Sequence, residues 1–165
     1  MPEGRGHTRL KSLTNLRDVL SVATEFERTA RDFYRDLAPK VTKNIRYLVE
    51  ELAAEEQQHL DLFSGLAERA DVEAVLQTEI ERPIDDQKFF DFAHLPDLGE
   101  RPDDQAVLQY ALAREHAAMV QYEALAEATP PGTLRDTFRF LANEETKHKN
   151  ELEVIYDRIV HSGGV

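Results

Sequence analysis

Apolar side chains recur at alternating steps of three and four along four separate blocks of this chain. That spacing leaves it little to fold into but long helices packed on shared seams. The first block opens at Thr14 or Asn15, either of which can cap a helix, and runs to about Ala38, where Pro39 stops it. Its stripe reads Leu16, Leu20, Ala23, Glu27, Ala30, Tyr34 and Leu37. The second, from about Thr42 to Arg69, places Ile45, Val49, Leu52, Glu56, His59, Phe63 and Leu66 on one face. The third starts at Asp103 or Asp104, carries Leu108, Ala111, Glu115, Ala118, Tyr122 and Leu125, and ends before Pro130, Pro131 and Gly132. The fourth opens with Thr133, has Asp136 three residues on as a capping-box acid, and continues to about Val160 through Leu134, Phe138, Leu141, Glu145, His148, Leu152, Ile155 and Ile159. Seven glycines and seven prolines in 165 residues suit such a helix-rich chain.

Residues 70 to 102 break the pattern. Pro83, Pro96, Gly99 and Pro102 fall there and acidic residues outnumber basic ones, so most of the stretch is expected to be solvated connection. Phe89, Phe90 and Phe92 argue that part of it packs on the helices. The boundaries expected are a flexible N-terminus over 1–13 and one helical domain over 14–162, with the crossover at about 70–102. Short links make each pair of helices an antiparallel hairpin, and the long connection can return along a helix of about 38 Å. The fold class expected is all-α, an antiparallel four-helix bundle of two hairpins joined by a long crossover.

The two halves repeat each other. Glu27 and Tyr34 precede Glu56-x-x-His59, and Glu115 and Tyr122 precede Glu145-x-x-His148, with Glu-to-Glu intervals of 29 and 30 residues. At about 1.5 Å per residue, all six acids and histidines lie roughly 20 to 28 Å from their hairpin turns, which puts them at one level. One Glu on an apolar stripe is ordinarily a boundary residue, and one Glu-x-x-His is weak. Four carboxylates and two imidazoles in four seams at one height are a different matter. Without partners each carboxylate would cost several kcal/mol to bury or stay protonated, and no Lys or Arg falls on any of the four stripes. Two divalent cations would neutralise the set. Oxygen-rich donors with one imidazole per metal suit iron or manganese better than zinc.

Composition removes competing chemistries. With no cysteine there is no disulfide, thiolate zinc site, cysteine-ligated iron-sulfur centre or cysteine nucleophile. A formal charge of −12 and a pI near 4.9 argue against nucleic acid as a partner. Arg5, Arg9, Lys11 and Arg17 make the N-terminus mildly basic, but no apolar run follows that would serve as a signal or membrane segment. A cytoplasmic location without a membrane partner is the expectation.

The ligand pattern, one Glu from each of two helices and Glu-x-x-His from each of the others, marks ferritin-like carboxylate proteins. From about residue 14 to residue 160 the chain resembles the di-iron domain of a rubrerythrin. The text that carries the resemblance is Glu-Arg-Thr-Ala-Arg-Asp-Phe-Tyr at 27–34, Glu-Gln-Gln-His at 56–59, Glu-His-Ala-Ala-Met-Val-Gln-Tyr at 115–122 and Glu-Thr-Lys-His at 145–148. The resemblance implies a ferritin-like fold and two iron ions, with manganese as the other candidate, held by Glu27, Glu56, His59, Glu115, Glu145 and His148. Tyr34 and Tyr122 would hydrogen-bond near the site; their alternative is as core aromatics. Glu55 and Glu144, each just before a Glu-x-x-His, could orient the opposite histidine, though solvent-facing acids are the plainer reading of both. His116 falls off the seam.

Two departures shape the function expected. Ala118 stands where peroxidase rubrerythrins usually carry a further glutamate, and the chain lacks the four cysteines of a rubredoxin module. Gln57 occupies the place of a haem-holding methionine, so no haem is expected, and nothing reads as the short fifth helix of a storage cage. The resemblance therefore implies a di-iron oxidoreductase that reduces hydrogen peroxide or dioxygen in oxidative-stress defence. Electrons would come from a rubredoxin-like donor protein or from ferrous ion. The alternatives are a ferroxidase or iron-handling protein and a non-redox helical bundle. A homodimer is expected, and the length of the crossover permits hairpin exchange between subunits.

Overall fold

The computed structural model describes residues 16–76 and 97–161. The N-terminal segment, the Thr14 and Asn15 caps, and Phe89, Phe90 and Phe92 lie outside them. The described residues are helical, with no strand among them. The elements are α1 (Leu16–Leu37), a single 3-10 turn (Ala38–Lys40), α2 (Lys43–Ala67), a short α3 (Ala70–Val75), α4 (Asp104–Ala128) and α5 (Thr133–His161).

Each boundary follows from local chemistry. Pro39 has no N–H to continue α1 and falls in the first positions of the 3-10 turn. The carbonyls released there are taken up by Arg46, whose Nε donates to Ala38 O at 3.1 Å and whose Nη2 donates to Val41 O at 2.8 Å. Asp103 caps α4 by accepting from Ala106 N at 3.2 Å. Beyond α4, Arg135 Nε donates to Ala126 O at 3.1 Å, and Gly132 takes a φ of +149° that only glycine adopts freely. Thr133 is the first residue of α5, but its hydroxyl does not close a capping box. It donates to Asp71 Oδ2 at 2.6 Å, across to α3.

α3 is the element that the sequence reading missed. Inside a stretch expected to be mostly solvated, Val72 and Leu76 are buried. Leu76 O accepts from Arg17 N at 2.9 Å, satisfying one of the free N–H groups in the first turn of α1, and Glu73 pairs with Arg17 at 2.9 Å. Six residues carry too short a period to be read as helix from spacing.

The stripes face inward. Every stripe position expected in α1, α2 and α4 is buried, as are those of α5 up to Leu152, while Ile155 and Ile159 are half-buried. The core forms two apolar clusters, each drawing on all four long helices. One gathers Phe26, Phe63, Leu66, Tyr122, Leu125, Phe138 and Leu141, and the other Ala30, Tyr34, Ile45, Val49, Leu108, Ala111 and Leu152. Their membership alternates with the acidic and histidine positions along each helix, so the polar layer lies between two apolar ones. Outside it, Thr42 Oγ1 donates to Asp104 Oδ2 at 2.9 Å, tying the turn of the first hairpin to the start of the second. No helix among the described residues is long and apolar enough to cross a membrane.

The phase of α5 can be tested with two phenylalanines on opposite faces. Phe138 is fully buried and Phe140 is 51% exposed. In urea titrations, Phe138→Ala is expected to destabilise the fold by about 3–5 kcal/mol. Phe140→Ala should stay within about 0.5 kcal/mol of the parent.

Candidate metal centre

Glu27 from α1, Glu56 and His59 from α2, Glu115 from α4, and Glu145 and His148 from α5 converge on one layer and are all buried. On a helix, residues three apart share a face, so each Glu-x-x-His directs its carboxylate and its imidazole into the same space. Glu27, His59 and Glu145 each offer a donor atom within 4.8 Å of one another, and Glu115, Glu145 and His148 do the same. Glu145 belongs to both groups. The imidazoles stack with centroids 6.2 Å apart.

A seventh charged side chain shares the layer. Arg114 is 1% exposed. Its guanidinium takes Glu56 by both oxygens, Nη1 to Oε1 at 3.2 Å and Nη2 to Oε2 at 3.3 Å, and Nη2 also donates to Glu27 Oε2 at 3.4 Å. The Arg114 Cζ lies 4.3 Å from the ring centroid of Phe26. This corrects the expectation that no basic residue enters the seams. The buried face of α4 is wide enough for a second stripe at the same three-and-four spacing, Val107, Ala111, Arg114, Ala118, Gln121 and Leu125, beside the one through Glu115. The length of the arginine side chain carries its guanidinium from α4 to Glu56 on α2 and Glu27 on α1. That second stripe was the signal in the sequence.

The two halves of the layer differ. Around Glu27 and Glu56 the oxygens are partnered: Tyr122 Oη donates to Glu27 Oε1, Arg114 holds Glu56, and His59 Nδ1 lies 3.4 Å from Glu27 Oε2, the same distance as from Glu145 Oε1. On the other side, both oxygens of Glu115, both oxygens of Glu145 and Nδ1 of His148 are buried without a hydrogen-bond partner. Such groups are rare in proteins and point to a ligand or an ion. Glu55 Oε2 approaches His148 Nδ1 to 3.2 Å without completing a hydrogen bond. Glu144 does not repeat the arrangement. Its carboxylate sits 3.4 Å from Lys147 Nζ on its own helix, so the plainer reading of that residue applies. The Tyr34 hydroxyl is buried and has no hydrogen-bond partner, unlike that of Tyr122. His116 is exposed, and Ala118 is fully buried in the aromatic cluster.

Charge does not divide with the halves: burial pushes Glu56 well above the ordinary carboxyl range despite Arg114, and Glu115 is held below it, despite burial, by Glu145, His148 and the Arg114 charge. Burial alone would raise the Glu27 carboxyl, but its hydrogen bonds and the charges of His59 and Arg114 hold it below the ordinary range. Burial and the neighbouring Glu115 charge push Glu145 well above it. His59 rises despite burial because Glu27 faces it, and His148 rises despite burial through Glu115. Burial lifts Glu55 to about 7. Four carboxylates and two imidazoles form a set that could hold divalent metal ions.

Comparison with protein-family models, with curated proteins and with solved structures finds no match.

Removing charges singly should separate the halves. In chelator-treated protein, Arg114→Leu is expected to destabilise by about 3–5 kcal/mol, because it strands two buried carboxylates. Glu145→Gln is expected to act in the opposite direction and raise the urea midpoint, since it removes a buried carboxylate whose oxygens have no hydrogen-bond partner. Shifts of the same sign would contradict this division of the layer.

Proposed function

We propose that the chain is a ferritin-like, antiparallel four-helix bundle of two hairpins joined by a crossover, and that it acts as a rubrerythrin-like non-haem oxidoreductase. In this reading it is a cytoplasmic protein that reduces hydrogen peroxide or dioxygen in oxidative-stress defence, with electrons from a separate rubredoxin-like donor. The observation that carries the proposal is the convergence of four buried carboxylates and two imidazoles, five of whose donor atoms have no hydrogen-bond partner. Glu27, Glu56, Glu115 and Glu145 would hold the metals with His59 and His148. Iron ions bound there would supply reducing equivalents to the oxidant.

The remaining work falls to the chain itself. Tyr122 fixes the Glu27 carboxylate through its hydroxyl, and so sets which oxygen faces the layer. Glu55 is only partly buried and sits next to His148, which places a proton-accepting group between the layer and solvent. The aromatic cluster of Phe26, Phe63, Tyr122 and Phe138 closes the layer on one side and excludes water. Both hairpins contribute to the layer from one chain, and a homodimer would leave it intact.

Ala118 favours a second reading, in which the protein oxidises ferrous ions and passes them on. A carboxylate that exchanges with histidine is missing at that position, so the ligand set is that of an iron-oxidising centre. A bundle with no metal accounts for Arg114 and Glu56, but leaves Glu115, Glu145 and His148 unexplained.

Metal analysis of purified protein is expected to give at least about one iron or manganese ion per chain, and Glu56→Ala and His148→Ala are expected to lose it. Normal metal content in both variants would overturn the site. Under anaerobic stopped flow, the ferrous protein should be oxidised faster by peroxide than by dioxygen and should turn over when an electron donor is supplied. Consumption of excess ferrous ion with iron retained would instead establish the second reading.

A further inference from the structure

We infer that Arg114 acts as a built-in cation for one half of the layer, so that the first divalent ion binds at Glu115, Glu145 and His148. A second ion then enters beside Glu27 and His59 only by drawing Glu56 off the guanidinium. The inference rests on the metal-centre reading above and goes beyond it, because it makes two sequence-equivalent halves inequivalent.

Three observations carry it. The guanidinium engages both oxygens of Glu56 and one of Glu27, which are the two carboxylates of a single half. A planar fork matched to a carboxylate is the strongest neutralising partner that a side chain can provide. The ligand atoms without hydrogen-bond partners belong to the other half: Arg114 Nη1 comes within 3.9 Å of Glu115 and 4.0 Å of Glu145 but hydrogen-bonds to neither. The charge balance agrees. With the carboxylates ionised and the imidazoles neutral, four glutamates and one arginine leave −3; one divalent ion brings the layer to −1, and a second overshoots to +1.

Arg114 is thus a positioning residue. It holds Glu56 away from the shared space and keeps the second position weak. Release leaves the guanidinium over Phe26 and within the electrostatic reach of the Tyr34 phenol, which has no hydrogen-bond partner of its own.

The test is an anaerobic titration of the full chain with Mn2+, followed by electron paramagnetic resonance and calorimetry. Wild type is expected to show an isolated six-line signal through the first equivalent, and to bind the second at least about tenfold more weakly. In Arg114→Met the two equivalents should bind within about threefold of one another, with a spin-coupled spectrum from early in the titration. Arg114→Lys, which keeps the charge but not the fork, should give an intermediate gap and serves in place of the methionine variant if that fails to fold. Equal affinities and coupling from the outset in wild type, or an unchanged gap in the substituted proteins, would overturn the inference and leave the metal centre standing. Failure of wild type to bind any Mn2+ would overturn both.

Discussion

Everything in this molecule is arranged around the difficulty of keeping four carboxylates out of water. A helix seam lined with leucine and alanine gives an anion no solvation, so each glutamate in it must find a cation, a donor or a proton. Arg114 serves Glu56 and the Tyr122 hydroxyl serves Glu27, while burial and the neighbouring Glu115 push the Glu145 carboxyl well above the ordinary range. The two apolar clusters make the problem severe by sealing the layer above and below, and in doing so they make it useful. Ions held in a dry, preorganised layer have open positions whose chemistry the surrounding side chains control.

Much of this was legible in the sequence, for a definite reason. Helical periodicity records which residues face inward, and in long helices with short links it also records height. The turns at Pro39 and at Pro130–Gly132 fix where the counting starts, so Glu27 and Glu56 had to meet, as did Glu115 and Glu145. The residues that were not legible are those whose role depends on the width of a face rather than its centre. Arg114 lies one position from a stripe residue, and its long side chain crosses to Glu27 on α1 and Glu56 on α2. The symmetry of the repeat does not extend to Glu55 and Glu144: they are equivalent in sequence, but Lys147 is available to one of them and has no counterpart beside the other, where Gln58 stands. The short α3 went unread because its evidence is not periodic. It consists of one buried valine, one buried leucine and a carbonyl aimed at Arg17.

An internal duplication usually suggests equivalence, and the two hairpins do share their pattern of Glu, Tyr and Glu-x-x-His. Their chemistry has nonetheless diverged at single positions. The residue before the first glutamate of each hairpin is Phe26 in one and Arg114 in the other, and the structure stacks the second on the first. A pair of equivalent positions has become a cation resting on a ring, and the two halves of the layer are no longer alike.

The distances along the chain at which these contacts form bear on how the molecule assembles. Packing within a hairpin joins residues about one helix-turn-helix apart, whereas the contacts from Arg114 to Glu56 and Glu27 and from Tyr122 to Glu27 span 58, 87 and 95 residues. Local contacts form early and distant ones late. The hairpins are therefore natural early units, and the step that remains is their docking, with the desolvation of the charged layer concentrated in it. A side-chain cation already tethered to α4 meets Glu56 and Glu27 in that same step. The arginine is in this sense a latch for assembly.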